Sequence, residues 1–246
     1  MAGSLGVLSD QPIVERSAGR RLWLDLALLG VIGLGLQAAW TAAIQAPTYM
    51  DAYYYAINGR QLAEGHGFSE PIIWQYLDAP AGLPAPSHTY WMPLASILAA
   101  AGYRLGGYAT DGLLFWLLAG LLPLLAYAIS QRLSGERWQA WAAALFAAAG
   151  GYYAAFLGQT ATFAPFAWAG GVALLLLGLG WCAADKGKTV AAGRVRALWL
   201  LAGVCAGLAH LTRADGVLLM LIGLGLGALA AVRAGRAGAG SGRELA

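Results

Sequence analysis

Asp51 stands in the run APTYMDAYYYAINGRQLAEGHGF, residues 46 to 68, with Tyr49 and Met50 before it and Tyr53, Tyr54 and Tyr55 after it. A carboxylate among aromatic side chains is partly removed from water, and its surroundings then set its pKa. It can serve as a general base or as a metal ligand. An acid at the start of a helical run can also act as a cap for backbone N–H groups that lack partners in the first turn. The other acids have plainer readings. Glu64, Glu70 and Asp78 are solvated loop charges, Asp111 is a cap for a helix starting at Gly112, and Asp25 is an interfacial charge. Cys182 and Cys205 fall inside apolar segments, where cysteine acts as a small hydrophobe.

The elements that must position Asp51 follow from composition. With 59% hydrophobic residues, 11% charged residues and a mean hydropathy of +0.61 over 246 residues, the chain lacks the polar material to cover a water-soluble globule. The expected class is an all-α polytopic membrane protein with no nucleic-acid partner, since a net charge of +3 is too small for that inference. Apolar segments long enough to cross a bilayer run over about 22 to 44, 112 to 130, 138 to 157, 163 to 184, 197 to 211 and 216 to 232. A further stretch, 90 to 106, is only moderately apolar and ends in Arg104 and two glycines.

Basic residues near span ends are retained on the cytoplasmic side. If 90 to 106 stays at the interface or re-enters, only Arg60, Arg104 and Arg213 of the 15 basic residues lie outside. If it crosses, the clusters at 132/137 and 186 to 196 move outside. The first arrangement obeys the rule far better. It gives about six transmembrane helices in a plasma-membrane, multi-pass protein with both termini cytoplasmic. The expected organisation is a cytoplasmic tail over 1–21, a transmembrane domain over 22–232 and a flexible basic tail over 233–246. Residues 45–111 then form one long outer loop with interfacial helices, one of them from Asp51 to about Glu64. Tyr54, Ile57 and Leu62 give that helix a rough apolar face, its tyrosines sit at headgroup level, and Gly65 stops it. Loops of this length are usually functional. The glycine pairs Gly203/Gly207 and Gly223/Gly227 read as close helix packing.

An acid just after the first apolar helix, followed in order by YYYAINGRQLAEGHGF (53–68), PSHTYWMPLASILAAAGYRLGG (86–107) and LAHLTRADGVLLM (208–220), resembles the amino-terminal half of the GT-C superfamily of integral-membrane glycosyltransferases. The nearest branch is the protein O-mannosyltransferase and aminoarabinose-transferase-like enzymes. The resemblance spans roughly residues 20 to 232 and lies in the spacing of short motifs. It implies sugar transfer on the outer face of the membrane from a polyprenyl-phosphate-linked donor, with Asp51 at the position of the catalytic acid. A divalent metal is compatible with such a site, though no residue pattern here requires one.

That chemistry needs an acid, a cation and an aromatic groove at one interface. Arg213, at the outer end of the fifth span, can pair phosphate oxygens, or it can snorkel and pair with Asp215. His88 can meet donor phosphate, acceptor or a metal, or be an ordinary loop histidine. His210, one turn before Arg213, is a helix-packing residue or a second phosphate partner. Trp74, Tyr76, Tyr90 and Trp91 can line the sugar or anchor the chain at the interface, and Tyr54 and Tyr55 belong to the same aromatic wall. The chain differs from the family pattern at Ala52, where relatives carry a second acid. In the turn GQTATFAPF it offers only Gln159, Thr160 and Thr162 where relatives have another. Relatives also continue through further helices, which a second polypeptide can supply. The rival expectation is a non-catalytic membrane subunit that binds polyprenyl lipid or scaffolds a larger complex.

Overall fold

The protein is described from a computed structural model over residues 11–73, 79–185 and 192–241. It is an all-α polytopic membrane protein. Its helices are α1 (Gln11–Thr41), α2 (Met50–Ala63), α3 (Leu94–Gly106), α4 (Leu113–Ser134), α5 (Arg137–Ala149), α6 (Ala154–Leu157), α7 (Phe163–Asp185), α8 (Ala192–Thr212) and α9 (Val217–Ser241). Two antiparallel two-residue strands, β1 (Ser69–Glu70) and β2 (Ala85–Pro86), clip the loop between α2 and α3. Among the described residues, five helical segments are long and apolar enough to cross a bilayer: Gly19–Thr41, Leu113–Ser134, Phe163–Ala184, Ala192–Thr212 and Ala214–Arg233.

The third expected span, 138 to 157, is a broken helix. Gly150 and Gly151 have φ of 62° and 53°, a left-handed conformation that ends α5, and a 3-10 turn leads into α6. The segment still runs the length of the bundle. At one end, Arg137 donates to both Asp25 carboxylate oxygens, at 2.7 Å through Nε and 2.6 Å through Nη2, and Tyr127 Oη donates to Asp25 Oδ2 at 2.9 Å. At the other end, Gly158 lies against Gln37 and Thr41 of α1. Asp25 is therefore no interfacial charge but a buried group, 3% exposed, that ties α1, α4 and α5 together. A buried carboxylate persists only with such compensation.

Three packed clusters stabilise the bundle. Leu29, Tyr127, Ala140 and Ala144 join α1, α4 and α5; Ala173, Ala206, Ala209 and Leu219 join α7, α8 and α9; Tyr54, Tyr55, Ala95, Ala99 and Phe115 join α2, α3 and α4. The Trp168 indole N–H donates to the Leu118 carbonyl at 2.7 Å and holds α7 on α4. Gly203, Gly207 and Gly227 contact nothing within 4 Å of where a Cβ would sit, so the expected close packing at these positions is not formed within the chain. Helix α9 continues to Ser241, eight residues past the point where a flexible tail was expected to begin.

Helix α2 buries only part of the face its apolar residues suggest: of Tyr54, Ile57 and Leu62 with Ala56 and Ala63, only Tyr54 and Ala56 are fully buried. Ala52, Tyr54, Tyr55, Ala56, Asn58 and Gly59 are buried, whereas Ile57 and Leu62 are only partly so. Close approach to α3 is the reason. A Cβ at Gly59 would sit 2.6 Å from the Ala99 Cβ and 3.0 Å from the Ser96 carbonyl oxygen. Small residues on both helices let the backbones meet, and the Ser96 hydroxyl donates to the Tyr55 carbonyl at 3.2 Å. The helix ends on Gly65, where the His66 N–H bonds the Gln61 carbonyl and the Gly65 N–H bonds the Leu62 carbonyl.

Replacing Gly59 with Leu is expected to force α2 off α3 at a cost of about 1–3 kcal/mol. The measurement is the thermal midpoint of the protein in lipid nanodiscs, read by circular dichroism. An unchanged midpoint would contradict the contact.

Candidate functional site

Asp51 lies in the first turn of α2. The helix starts at Met50 with Tyr49 in extended conformation as its N-cap (φ −149°, ψ 164°), and no side chain makes a capping bond there. The expected Asp51 cap is thus not formed. Its carboxylate gains from the helix dipole, but no hydrogen bond or ion pair from any described side chain engages it. Burial raises its pKa above the ordinary carboxylate range, and the Arg213 charge partly offsets that rise.

A buried turn between α6 and α7 holds this helix start. Gln159, Thr160 and Thr162 are 6%, 3% and 8% exposed, and each reaches a different part of the site. Gln159 Oε1 accepts from the Thr48 N–H at 2.8 Å and from the Thr48 hydroxyl at 3.0 Å. Thr160 donates to the carbonyl of Ala52, next to Asp51, at 2.8 Å. The Thr162 hydroxyl accepts from Arg213 Nη1 at 3.4 Å. The turn holds no acid, and its polar residues act instead as clamps on the site. The available signal was three polar residues within four positions, Gln159, Thr160 and Thr162, between two apolar segments, which must find partners once buried.

Arg213 follows directly on α8. Its Nε and Nη2 donate to Asp215 Oδ2 at 3.2 and 2.8 Å, and its guanidinium carbon lies 5.8 Å from the Phe163 ring centroid and 5.7 Å from that of Phe166. The expected pairing with Asp215 is thus formed, and the Arg213 charge also acts on Asp51, Tyr49 and Tyr55. The phenols of Tyr49 and Tyr55 are pushed above their ordinary pKa by burial first and by the Asp51 charge second. The Tyr49 ring meets Phe156 edge-on at 5.4 Å. The result is a half-buried acid within the field of a fixed cation and without a direct ion pair to it.

The remaining candidates divide into supports and outliers. Tyr54 and Tyr55 are 2% and 1% exposed and belong to the α2–α3 core, packed with Ala95, Ala99 and Phe115 instead of lining an open aromatic wall. His88 adopts φ of 60°; its N–H donates to Tyr54 Oη at 2.8 Å, its Nδ1 lies 3.2 Å from the Trp91 carbonyl, and its ring packs against Tyr54, Tyr55 and Phe68. Burial lowers its pKa, which favours the neutral ring. His88 thus braces α2 from behind. Trp91 packs on the same core, whereas Tyr90 is 68% exposed and touches Trp91 edge-on. His210 Nδ1 faces the Ala214 carbonyl at 3.3 Å in the turn that carries Arg213. Trp74 and Tyr76 lie outside the described residues. One carboxylate in the field of a guanidinium does not suit a divalent cation, and among the described residues no three His, Cys, Asp or Glu side chains cluster to hold one.

Because Arg213 lowers the Asp51 pKa, Arg213→Gln is expected to raise it further. The carboxylic-acid infrared band assigned to Asp51, by its loss in Asp51→Asn, should then persist to higher pH than in the unaltered protein. An unmoved titration midpoint would show that the two groups do not interact. Compared with known protein families, curated proteins and solved structures, the chain matches none.

Proposed function

We propose that this chain is a membrane glycosyltransferase, or the amino-terminal portion of one, that moves a sugar from a polyprenyl-phosphate donor to an acceptor on the outer face of the plasma membrane. The observation that carries this reading is the desolvated Asp51 carboxylate, engaged by no described side chain, within the field of the anchored Arg213 guanidinium. In the reaction an acceptor hydroxyl attacks the anomeric carbon while Asp51 takes its proton. The bond from that carbon to the phosphate oxygen breaks, and its electron pair leaves with the phosphate. Arg213 balances the charge that develops there.

Several features support the assignment. Burial gives Asp51 greater basicity than a solvated carboxylate, which suits a proton acceptor near neutral pH. Arg213 keeps donors in a fork suited to phosphate, although Asp215 holds it at rest. The polyprenyl tail would lie in hydrocarbon against the apolar helices while its phosphate stays at the end of the bundle that carries α2. With both termini cytoplasmic, that end faces outward.

A second reading is favoured by the open α8–α9 face. The span that ends at Arg233 has only 11% of its most apolar window buried within the chain, and Gly203 and Gly207 are uncovered. A non-catalytic subunit that binds polyprenyl lipid and packs against further helices of a second polypeptide would use that face.

Membranes expressing the chain, supplied with a panel of radiolabelled polyprenyl-phosphate sugars, separate the two. The transferase reading expects transfer from at least one donor, reduced about 10²- to 10⁴-fold in Asp51→Asn. Absence of transfer from every donor, or full activity without Asp51, would overturn it.

A further inference from the structure

Asp111 was read as a cap for α4, but Gly112 is the cap residue and its position is filled by backbone alone. Burial raises the Asp111 pKa, and the neighbouring Gly112 backbone N–H only partly offsets that rise. Its surroundings explain why an acid is kept there. A cavity of about 670 Å³ opens where the ends of α1 and α4 meet the Gly158–Thr160 turn, and Tyr108, Asp111, Trp116, Gln159 and Thr160 are among its walls. That volume falls within the range of small-molecule sites.

The chemistry of the walls selects the occupant. Asp111 is the one formally charged residue among those lining the cavity. The threonine hydroxyl protons around it are already committed: Thr41 donates to the Gln37 carbonyl, Thr110 to the Gly102 and Gly107 carbonyls, and Thr160 to the Ala52 carbonyl. The Gln159 amide donates to the Ala155 carbonyl. The cavity therefore sets the Asp111 carboxylate beside threonine hydroxyls whose protons are already taken, and a ligand group that meets Asp111 must bring its own donors. A phosphate would be repelled. Trp116 and Tyr108 add aromatic surface of the kind that covers the C–H face of a sugar ring.

We propose that this cavity binds a neutral polyhydroxylated ligand, a sugar ring whose hydroxyls donate to Asp111 and whose apolar face lies on Trp116. The cavity is joined to the candidate site by Thr160, which lines it and bonds the carbonyl of the residue after Asp51. The two ends of the site are thus divided by charge, an anion beside Arg213 and a neutral polyol beside Asp111. The role of that polyol as the acceptor in sugar transfer rests on the transferase reading; the binding itself does not.

The test is saturation-transfer NMR on the chain in nanodiscs, with the methyl α- and β-pyranosides of glucose, mannose and galactose as probes and glucose 6-phosphate as the anionic control. At least one neutral glycoside should show saturation transfer and the phosphate none. Binding should weaken by about tenfold or more in Asp111→Asn, the loss expected when a hydroxyl is deprived of a charged acceptor. It should also fall in Trp116→Ala and persist in Asp51→Asn. No transfer to any glycoside, or equal binding by Asp111→Asn, would overturn the proposal. A chain that holds the glycoside but moves no sugar would lose the transferase reading and keep this one; a chain that moves sugar but binds no glycoside would do the reverse.

Discussion

The hydrogen bond from Thr160 to the Ala52 carbonyl fixes the start of α2, and the geometry around Asp51 depends on it. A buried hydroxyl left without a partner costs about 1–3 kcal/mol, so a threonine at 3% exposure is under strong pressure to keep its acceptor. The flanking residues of the same turn extend the constraint. Gln159 grips Thr48 just before α2, and Thr162 touches Arg213 just after α8. One short turn between α6 and α7 thereby sets the relation of three segments that are far apart in sequence.

The electrostatics of the site follow from that placement. Asp51 is held where burial outweighs the pull of Arg213, so its pKa rises although a cation faces it. Had the two formed a direct ion pair, the opposite order would hold and the acid would be a poor proton acceptor. Asp25 is the internal comparison. It is equally an acid beside an arginine, but its oxygens take bonds from Arg137 and Tyr127, and its work is to fasten three helices. The contrast separates a structural carboxylate from one left available.

Much of the architecture was legible in the sequence because bilayer thickness imposes length on apolar runs. The long connection after the first span, a helix from Asp51 to about Glu64 and a further helix within 90 to 106 were all readable from pattern and helix stops. The buried face of α2 was not, because tyrosine and alanine give little periodic signal and α3 selects the face through small-residue contact at Gly59. The broken third span was hidden for a related reason, since hydropathy is blind to the left-handed glycines at 150 and 151. Asp51 and Arg213 were legible as candidates, and their juxtaposition depends on a fold that spacing alone does not specify. Asp111 and the Gln159–Thr162 turn escaped because partners in a distant segment decide whether a polar residue is a cap, a clamp or a wall.

The most direct test of the central claim, that Asp51 and Arg213 face one another at one end of the bundle, is chemical cross-linking of a paired cysteine variant. Cysteines would be placed at 51 and 213 in a background with Cys182 and Cys205 replaced, and a short membrane-impermeant bifunctional thiol reagent would be added to intact cells. The account predicts an intramolecular cross-link at 51–213, formed from the outer side, and none in a control pair at 25 and 213. Failure of the 51–213 pair to cross-link, with both cysteines shown to be reactive, would contradict it.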